Sequence, residues 1–207
     1  MKNRRLIDSF PGALALTVVV GLNVIVYLHM AKYYNDTNFT ARQVYLYGNR
    51  FFGPYWESLP STYIHFGLIH ILSNMLALIG WGWTVARRLG FWKFLLLYTL
   101  CGLASSAVSL ASHEGTVCAG ASGPVSGVLA CLFIVRLYGD RTICASELIS
   151  VVVFNAFIAF VMPNIDWQAH IGGFAAGLVL GLIFVPRYLL LSISVVAGLV
   201  LILVAPS

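Results

Sequence analysis

The chain has 207 residues, of which 60% are hydrophobic and only 9% are charged. Soluble proteins carry about 25% charged residues, so this composition excludes a globule that faces water on all sides. Twelve Lys and Arg against seven Asp and Glu give a net charge of +5. These cations are scattered between apolar runs and form no cluster, which indicates an integral membrane protein that lies in a lipid bilayer and binds no nucleic acid.

Apolar runs of spanning length predict an all-α fold, a polytopic bundle of membrane helices. Seven runs lie near residues 11–30, 62–83, 91–112, 122–138, 143–162, 167–186 and 188–205. The fourth run is short and begins at Ser122, so we expect its helix to start below the membrane surface. All seven belong to one domain, 1–207. Its long loop, 31–60, contains nine aromatic residues, which predict partial embedding in the outer leaflet.

The distribution of Lys and Arg predicts the orientation of the bundle. If the spans alternate, nine cations fall on one side and three, all in the long loop, on the other. The positive-inside bias then predicts that the N-terminus lies in the cytoplasm. We expect a multi-pass protein of a bacterial inner membrane or its equivalent. The second, fourth and sixth spans therefore start at the outer face. Those starts contain every candidate catalytic group: His65, His70, Asn74, Ser122 and His170.

Ser122 and His170 are the candidates for a catalytic dyad. A serine hydroxyl is a weak nucleophile until an adjacent base takes its proton. Small residues at a spacing of four allow membrane helices to approach closely, so we expect the two helices to pack. The glycines that would form this contact are Gly120, Gly123 and Gly127 around the serine, and Gly173, Gly177 and Gly181 after the histidine. In the alternative interpretation, Ser122 caps a helix ahead of Pro124 and His170 bonds a backbone carbonyl. Two glycine faces at matched depth favour the dyad.

His70 and Asn74 are four residues apart and share one helix face. With the backbone amide of Ser122, their side chains can donate hydrogen bonds to the oxyanion of a tetrahedral intermediate. The alternative is that they only link helices.

Three groups, among them the candidate His65, are given no catalytic role. His65 is expected to be an interfacial histidine near water. Asp166, four residues before His170, could complete a triad, but its place at a helix start predicts an N-cap. The cysteines, Cys101, Cys118, Cys131 and Cys144, form no metal or disulfide pattern, so we expect neither a metal nor a cofactor.

These motifs resemble those of the rhomboid family of intramembrane serine proteases. The likeness runs from Trp56 to Gly181 and depends on three patterns in combination: His65-x4-His70-x3-Asn74, Gly120-Ala121-Ser122-Gly123 and Ala169-His170-x2-Gly173-x3-Gly177. The resemblance implies a serine endopeptidase with a Ser122–His170 dyad, an oxyanion hole from His70, Asn74 and the Ser122 amide, and a six-helix core with a seventh span added. It also implies substrates that are single-pass membrane proteins, entering laterally near the second and fifth spans.

The chain departs from the family pattern at three positions. Glu57 follows Trp56 where the family usually has arginine, Ala86 replaces an acidic residue, and Ser126 replaces an aromatic one. None removes a reacting group, and together they predict a low activity.

Two other classes of protein compete with the protease interpretation. One is an inactive rhomboid-like adaptor, which typically lacks the serine or the histidine. The other is a small transporter, which predicts charged groups or broken helices at mid-membrane.

Overall fold

A computed structural model of the chain describes residues 2–32, 58–112, 119–138, 143–161 and 165–185. Within these ranges every regular element is a helix, so the predicted all-α class is confirmed. The helices are α1 (Lys2–Ala31), α2 (Ser58–Ser61), α3 (Leu68–Leu89), α4 (Phe91–Ser112), α5 (Ser122–Leu137), α6 (Ala145–Val161) and α7 (Trp167–Phe184).

Several of these helices can cross a bilayer. Among the described residues, α3, α4, α7 and the part of α1 from Pro11 to Ala31 are long and apolar enough to do so. Large apolar side chains cover the outside of the bundle; Ile69 is 83% exposed and Trp92 74% exposed. Such a surface is stable only in contact with lipid. The protein is therefore an integral, multi-pass membrane protein, as its composition predicted.

Helix α5 lies at the centre of the bundle. It packs most extensively against α7, and also against α3 and α4. Eleven of its 16 residues are buried. A helix that is covered on nearly every side needs no polar face, which explains why the sequence of α5 is apolar almost throughout.

Helix α1 approaches α3 at a single glycine. A Cβ added to Gly12 would lie 2.5 Å from the carbonyl carbon of Ala86, so only glycine fits there. Ala86 itself is fully buried. The small residue at position 86, one of the departures from the family pattern, therefore lies where the backbone of α1 comes close to α3.

Most helix bounds lie close to the spans expected from the sequence. Helix α4 has the expected bounds, and α5 and α7 begin at the expected residues and end one and two residues earlier. Helix α6 is shorter than the expected span by two residues at its start and one at its end. The run at 188–205 and the loop residues 33–57 lie outside the described part of the chain.

Helix α3 differs from the expected span 62–83, because it begins at Leu68 and ends at Leu89. Residues 62–64 instead form turns whose amides donate to Leu59, Pro60 and Ser61. At the other end, Arg87 and Arg88 belong to the last helical turn, and the guanidinium of Arg87 lies 5.6 Å from the ring centre of Trp83. Long cationic side chains can extend from a helix end to the membrane surface, so the arginines do not end the helix.

Candidate active site

Ser122 is the first residue of α5. The N-cap of this helix is Ala121, and no side chain caps it. The alternative interpretation of Ser122 as a capping residue is therefore wrong. One turn along the helix, the Ser126 hydroxyl donates to the carbonyl oxygen of Ser122 at 2.9 Å. Ser126 thus bonds its own helix.

His170 is the fourth residue of α7, whose start is fixed by Asp166. The Asp166 carboxylate accepts a hydrogen bond from the Ala169 amide at 2.9 Å, so the predicted N-cap is confirmed. The other carboxylate oxygen accepts a hydrogen bond from the hydroxyl of Ser109 on α4. Both oxygens of Asp166 therefore accept hydrogen bonds from groups other than the imidazole, as expected for a cap.

Glycines of α5 and α7 face one another where these helices cross. A Cβ on Gly173 would overlap the carbonyl of Gly123, and a Cβ on Gly177 would overlap the carbonyl of Gly127. Ser122 immediately precedes Gly123, and His170 lies one turn before Gly173 on the same side of α7. The glycine contact thus brings the starts of the two helices, with the serine and the histidine, to one end of the same interface.

His70 lies against the loop that precedes Ser122. Its Nε2 and Cε1 atoms would each be 2.8 Å from a Cβ on Gly120, whose φ of +127° also favours glycine. The Nδ1 atom accepts a hydrogen bond from the Phe66 amide at 3.4 Å, which leaves the hydrogen of the neutral ring on Nε2. His70 therefore presents a donor beside the serine loop. It is also within electrostatic reach of His170.

Asn74 lies one turn deeper than His70 and is 7% exposed. Its amide nitrogen donates to the backbone carbonyl of His70 at 2.9 Å. One of its two amide hydrogens is thus used within α3, and the second is available to a ligand.

The expectation for His65 is wrong. The side chain is 1% exposed and so is not near water, and it lies before α3 rather than in its first turn. Its Nε2 atom accepts a hydrogen bond from the Ala121 amide at 3.4 Å, and its ring lies edge-on to His70 with centres 5.0 Å apart. His65 therefore contacts the loop that leads to Ser122.

Three serines of α4 lie near the candidate site and were not predicted from the sequence. Ser105, Ser106 and Ser109 are all buried, and Ser105 packs directly on Gly123. Polar residues are costly at membrane depth, so three hydroxyls gathered in the C-terminal half of one span were a usable signal. Elsewhere, the described residues include no group of three His, Cys, Asp or Glu placed to hold a metal.

Comparison with known families agrees with this arrangement. The profile of the Rhomboid domain matches residues 53–187, which is more than half of the chain. The protein therefore belongs to the rhomboid family, as its motifs predicted.

Curated relatives come from plants, bacteria and fungi. The chain is 33% identical over 137 residues to RHOMBOID-like protein 4 of Arabidopsis thaliana, covering 64% of this chain and 34% of the relative. It is 35% identical over 129 residues to Rhomboid protease GluP of Bacillus subtilis, covering 60% and 25%. It is 34% identical over 125 residues to Rhomboid-type serine protease 2 of Emericella nidulans, covering 58% and 25%. The matched region is thus about a third or less of each of these relatives.

Proposed function

We propose that this chain is a serine-type endopeptidase that cleaves the transmembrane helices of membrane proteins, with Ser122 as nucleophile and His170 as general base. The observation that carries the proposal is the contact of Gly123 with Gly173, which joins the starts of α5 and α7. The similarity to Rhomboid protease GluP and to Rhomboid-type serine protease 2 supports the same chemistry.

The reaction follows from the groups at this interface. The Ser122 hydroxyl attacks the scissile carbonyl carbon while His170 takes its proton. Collapse of the tetrahedral intermediate releases the amine, which takes that proton from His170, and water then hydrolyses the acyl-enzyme through the same base. Donors to the oxyanion are the Nε2–H of His70, the free amide hydrogen of Asn74 and the backbone amide of Ser122. The tautomer of His70 supports this assignment, because its Nδ1 already accepts a hydrogen bond.

The substrates are single-pass membrane proteins that enter from the lipid. Support comes from α3, where Ile69, Leu72 and Leu76 are exposed on the outside of the bundle. An exposed apolar face allows a second helix to approach laterally from the lipid.

The proposed topology is a single domain over residues 1–207 with the N-terminus in the cytoplasm. It rests on the nine-to-three distribution of Lys and Arg. If residues 188–205 form a seventh span, a reporter fused after Ser207 lies outside. A cytoplasmic reporter at that position would reduce the count to six spans.

The decisive experiment uses purified protein in liposomes with a helical membrane substrate. Wild type and Ser112→Ala, which removes an exposed hydroxyl that bonds only its own helix, should cleave equally. Ser122→Ala should abolish cleavage at unchanged expression and thermal unfolding. A fluorophosphonate should label wild type on Ser122 but leave His170→Ala unlabelled. Cleavage by Ser122→Ala would refute the assignment, and a wild type that neither cleaves nor is labelled would favour an inactive helix-binding relative.

A further inference from the structure

Ser61, the last residue of α2, and the residues 62–67 that connect it to α3 form a strap, residues 61–67, that lies against the loop leading to Ser122. The amide of Gly120 donates to the carbonyl oxygen of Ser61 at 3.0 Å. The amide of Ala121 donates to Nε2 of His65 at 3.4 Å. Two successive amides of the serine loop are therefore held by the strap, one by its backbone and the other by a side chain.

The tautomer of His65 is set by its own backbone neighbour. Its Nδ1 atom lies 3.3 Å from the carbonyl oxygen of Tyr63, which can only accept a hydrogen bond, so Nδ1 carries the hydrogen. The lone pair is then on Nε2, where it accepts from Ala121. Burial, with a smaller contribution from nearby His70, lowers the pKa of His65 to about 4, so the ring is neutral near pH 7. His65 and His70 thus carry their hydrogens on opposite nitrogens.

Ala121 has both of its backbone polar groups bonded. Its amide donates to His65, and its carbonyl oxygen accepts from the Val125 amide at 2.9 Å. In a trans peptide the carbonyl and the following N–H point in opposite directions. Because the Ala121 carbonyl points along α5, the N–H of Ser122 points out of the helix start, where an oxyanion would lie. The direction of this donor depends on Ala121 staying where His65 holds it.

We propose that His65 is a positioning residue: by accepting the amide hydrogen of Ala121, it orients the Ser122 amide as an oxyanion donor. This inference rests on the proposed function. In this role His65 acts through the loop at 120–121, whose Ala121 amide it binds.

The test separates the hydrogen-bond acceptor from the bulk of the side chain. His65→Leu keeps much of the volume but has no acceptor, so the Ala121 amide is left buried and unbonded. His65→Gln places a carbonyl oxygen at about the reach of Nε2, whereas the shorter side chain of His65→Asn does not reach. Asn23→Ala is the matched control for lost stability. Asn23 is buried in α1, where its amide bonds Tyr98, and it lies outside the proposed site.

The readouts are kcat and KM for a helical substrate in liposomes, with thermal unfolding measured on the same samples. We expect His65→Leu to lower kcat at least about tenfold with little change in KM, because a displaced donor weakens transition-state binding alone. His65→Gln should recover most of the loss. Asn23→Ala should be destabilised without a comparable fall in kcat.

Three results would overturn the positioning role: an unchanged kcat in His65→Leu, a His65→Gln no faster than His65→Leu, or a loss matched by Asn23→Ala at the same thermal shift. If His65→Leu does not fold, the comparison of His65→Gln with His65→Asn decides, and equal rates would refute the role. A wild type that is inactive toward both substrate and fluorophosphonate would instead refute the proposed function itself.

Discussion

Replacing Gly173 by alanine tests whether the glycine contact sets the geometry of the dyad. A Cβ at this position would lie 2.7 Å from the carbonyl carbon and 3.2 Å from the Cα of Gly123. Ordinary contacts between carbon atoms are about 3.5–4.0 Å, so α7 must move away from α5 by about 1 Å. The obstacle is backbone at the centre of the bundle, which cannot rotate aside as a side chain can. His170, one turn away, moves with α7.

The displacement predicts a loss of activity that exceeds the loss of stability. A misplacement of about 1 Å at a catalytic group can lower the rate about a hundredfold. Overpacking of this kind costs about 1–3 kcal/mol of folding free energy. We therefore expect Gly173→Ala to remain folded in detergent while cleavage and fluorophosphonate labelling of Ser122 both slow about a hundredfold.

Gly80→Ala is the matched control, because a Cβ on Gly80 meets no atom of a neighbouring helix within 4 Å. It adds the same methyl group to a helix and should be neutral or slightly stabilising. If Gly173→Ala cleaved and labelled as fast as Gly80→Ala, the glycine contact would not control the approach of Ser122 and His170, and the main support for the dyad would be lost.

Two further variants test the surroundings of the dyad. Asn74→Ala should slow turnover by about a hundredfold without abolishing it, since His70 and the Ser122 amide remain as donors; a lower melting temperature with unchanged turnover would show that Asn74 only links α3 internally. Asp166→Asn should leave labelling of Ser122 largely intact, because asparagine still caps α7; loss of labelling in a folded protein would make Asp166 a third member of the catalytic set.

The bounds of most helices could be predicted because each apolar run is delimited by glycine, proline or charge. The second span shows where this reasoning fails. The strap contains Tyr63, Ile64 and Phe66, and by composition it is indistinguishable from the start of a membrane helix. The strap differs from a helix start in its hydrogen bonding to the serine loop. This contact joins His65 to Ala121, 56 residues later in the chain, and apolar periodicity cannot reveal it.

The contacts of the candidate site were likewise predictable only in part. The approach of α5 and α7 follows from a local spacing of glycines, which the sequence displays directly. The bond between Ser109 and Asp166 depends on the register of α4 against α7, which only the packed bundle fixes. The burial of His65 likewise depends on tertiary contacts. Local spacing in the sequence therefore predicts which helices approach, but it does not predict which polar side chains their packing buries.

The start of α7, which carries His170, is held in place without an aromatic partner on α5. The family's usual aromatic residue is Ser126 here, whose hydroxyl is turned to its own helix. Rigidity must then come from the start of α7. There the Asp166 carboxylate binds the Ala169 amide and the Ser109 hydroxyl together, and the His170 amide donates to the Asp166 carbonyl at 3.3 Å. The first turn of α7 is thereby tied to α4, while the glycines hold its next turns against α5. The histidine is fixed through its backbone on two sides, so the absence of a stacking ring at position 126 does not leave its helix free to move.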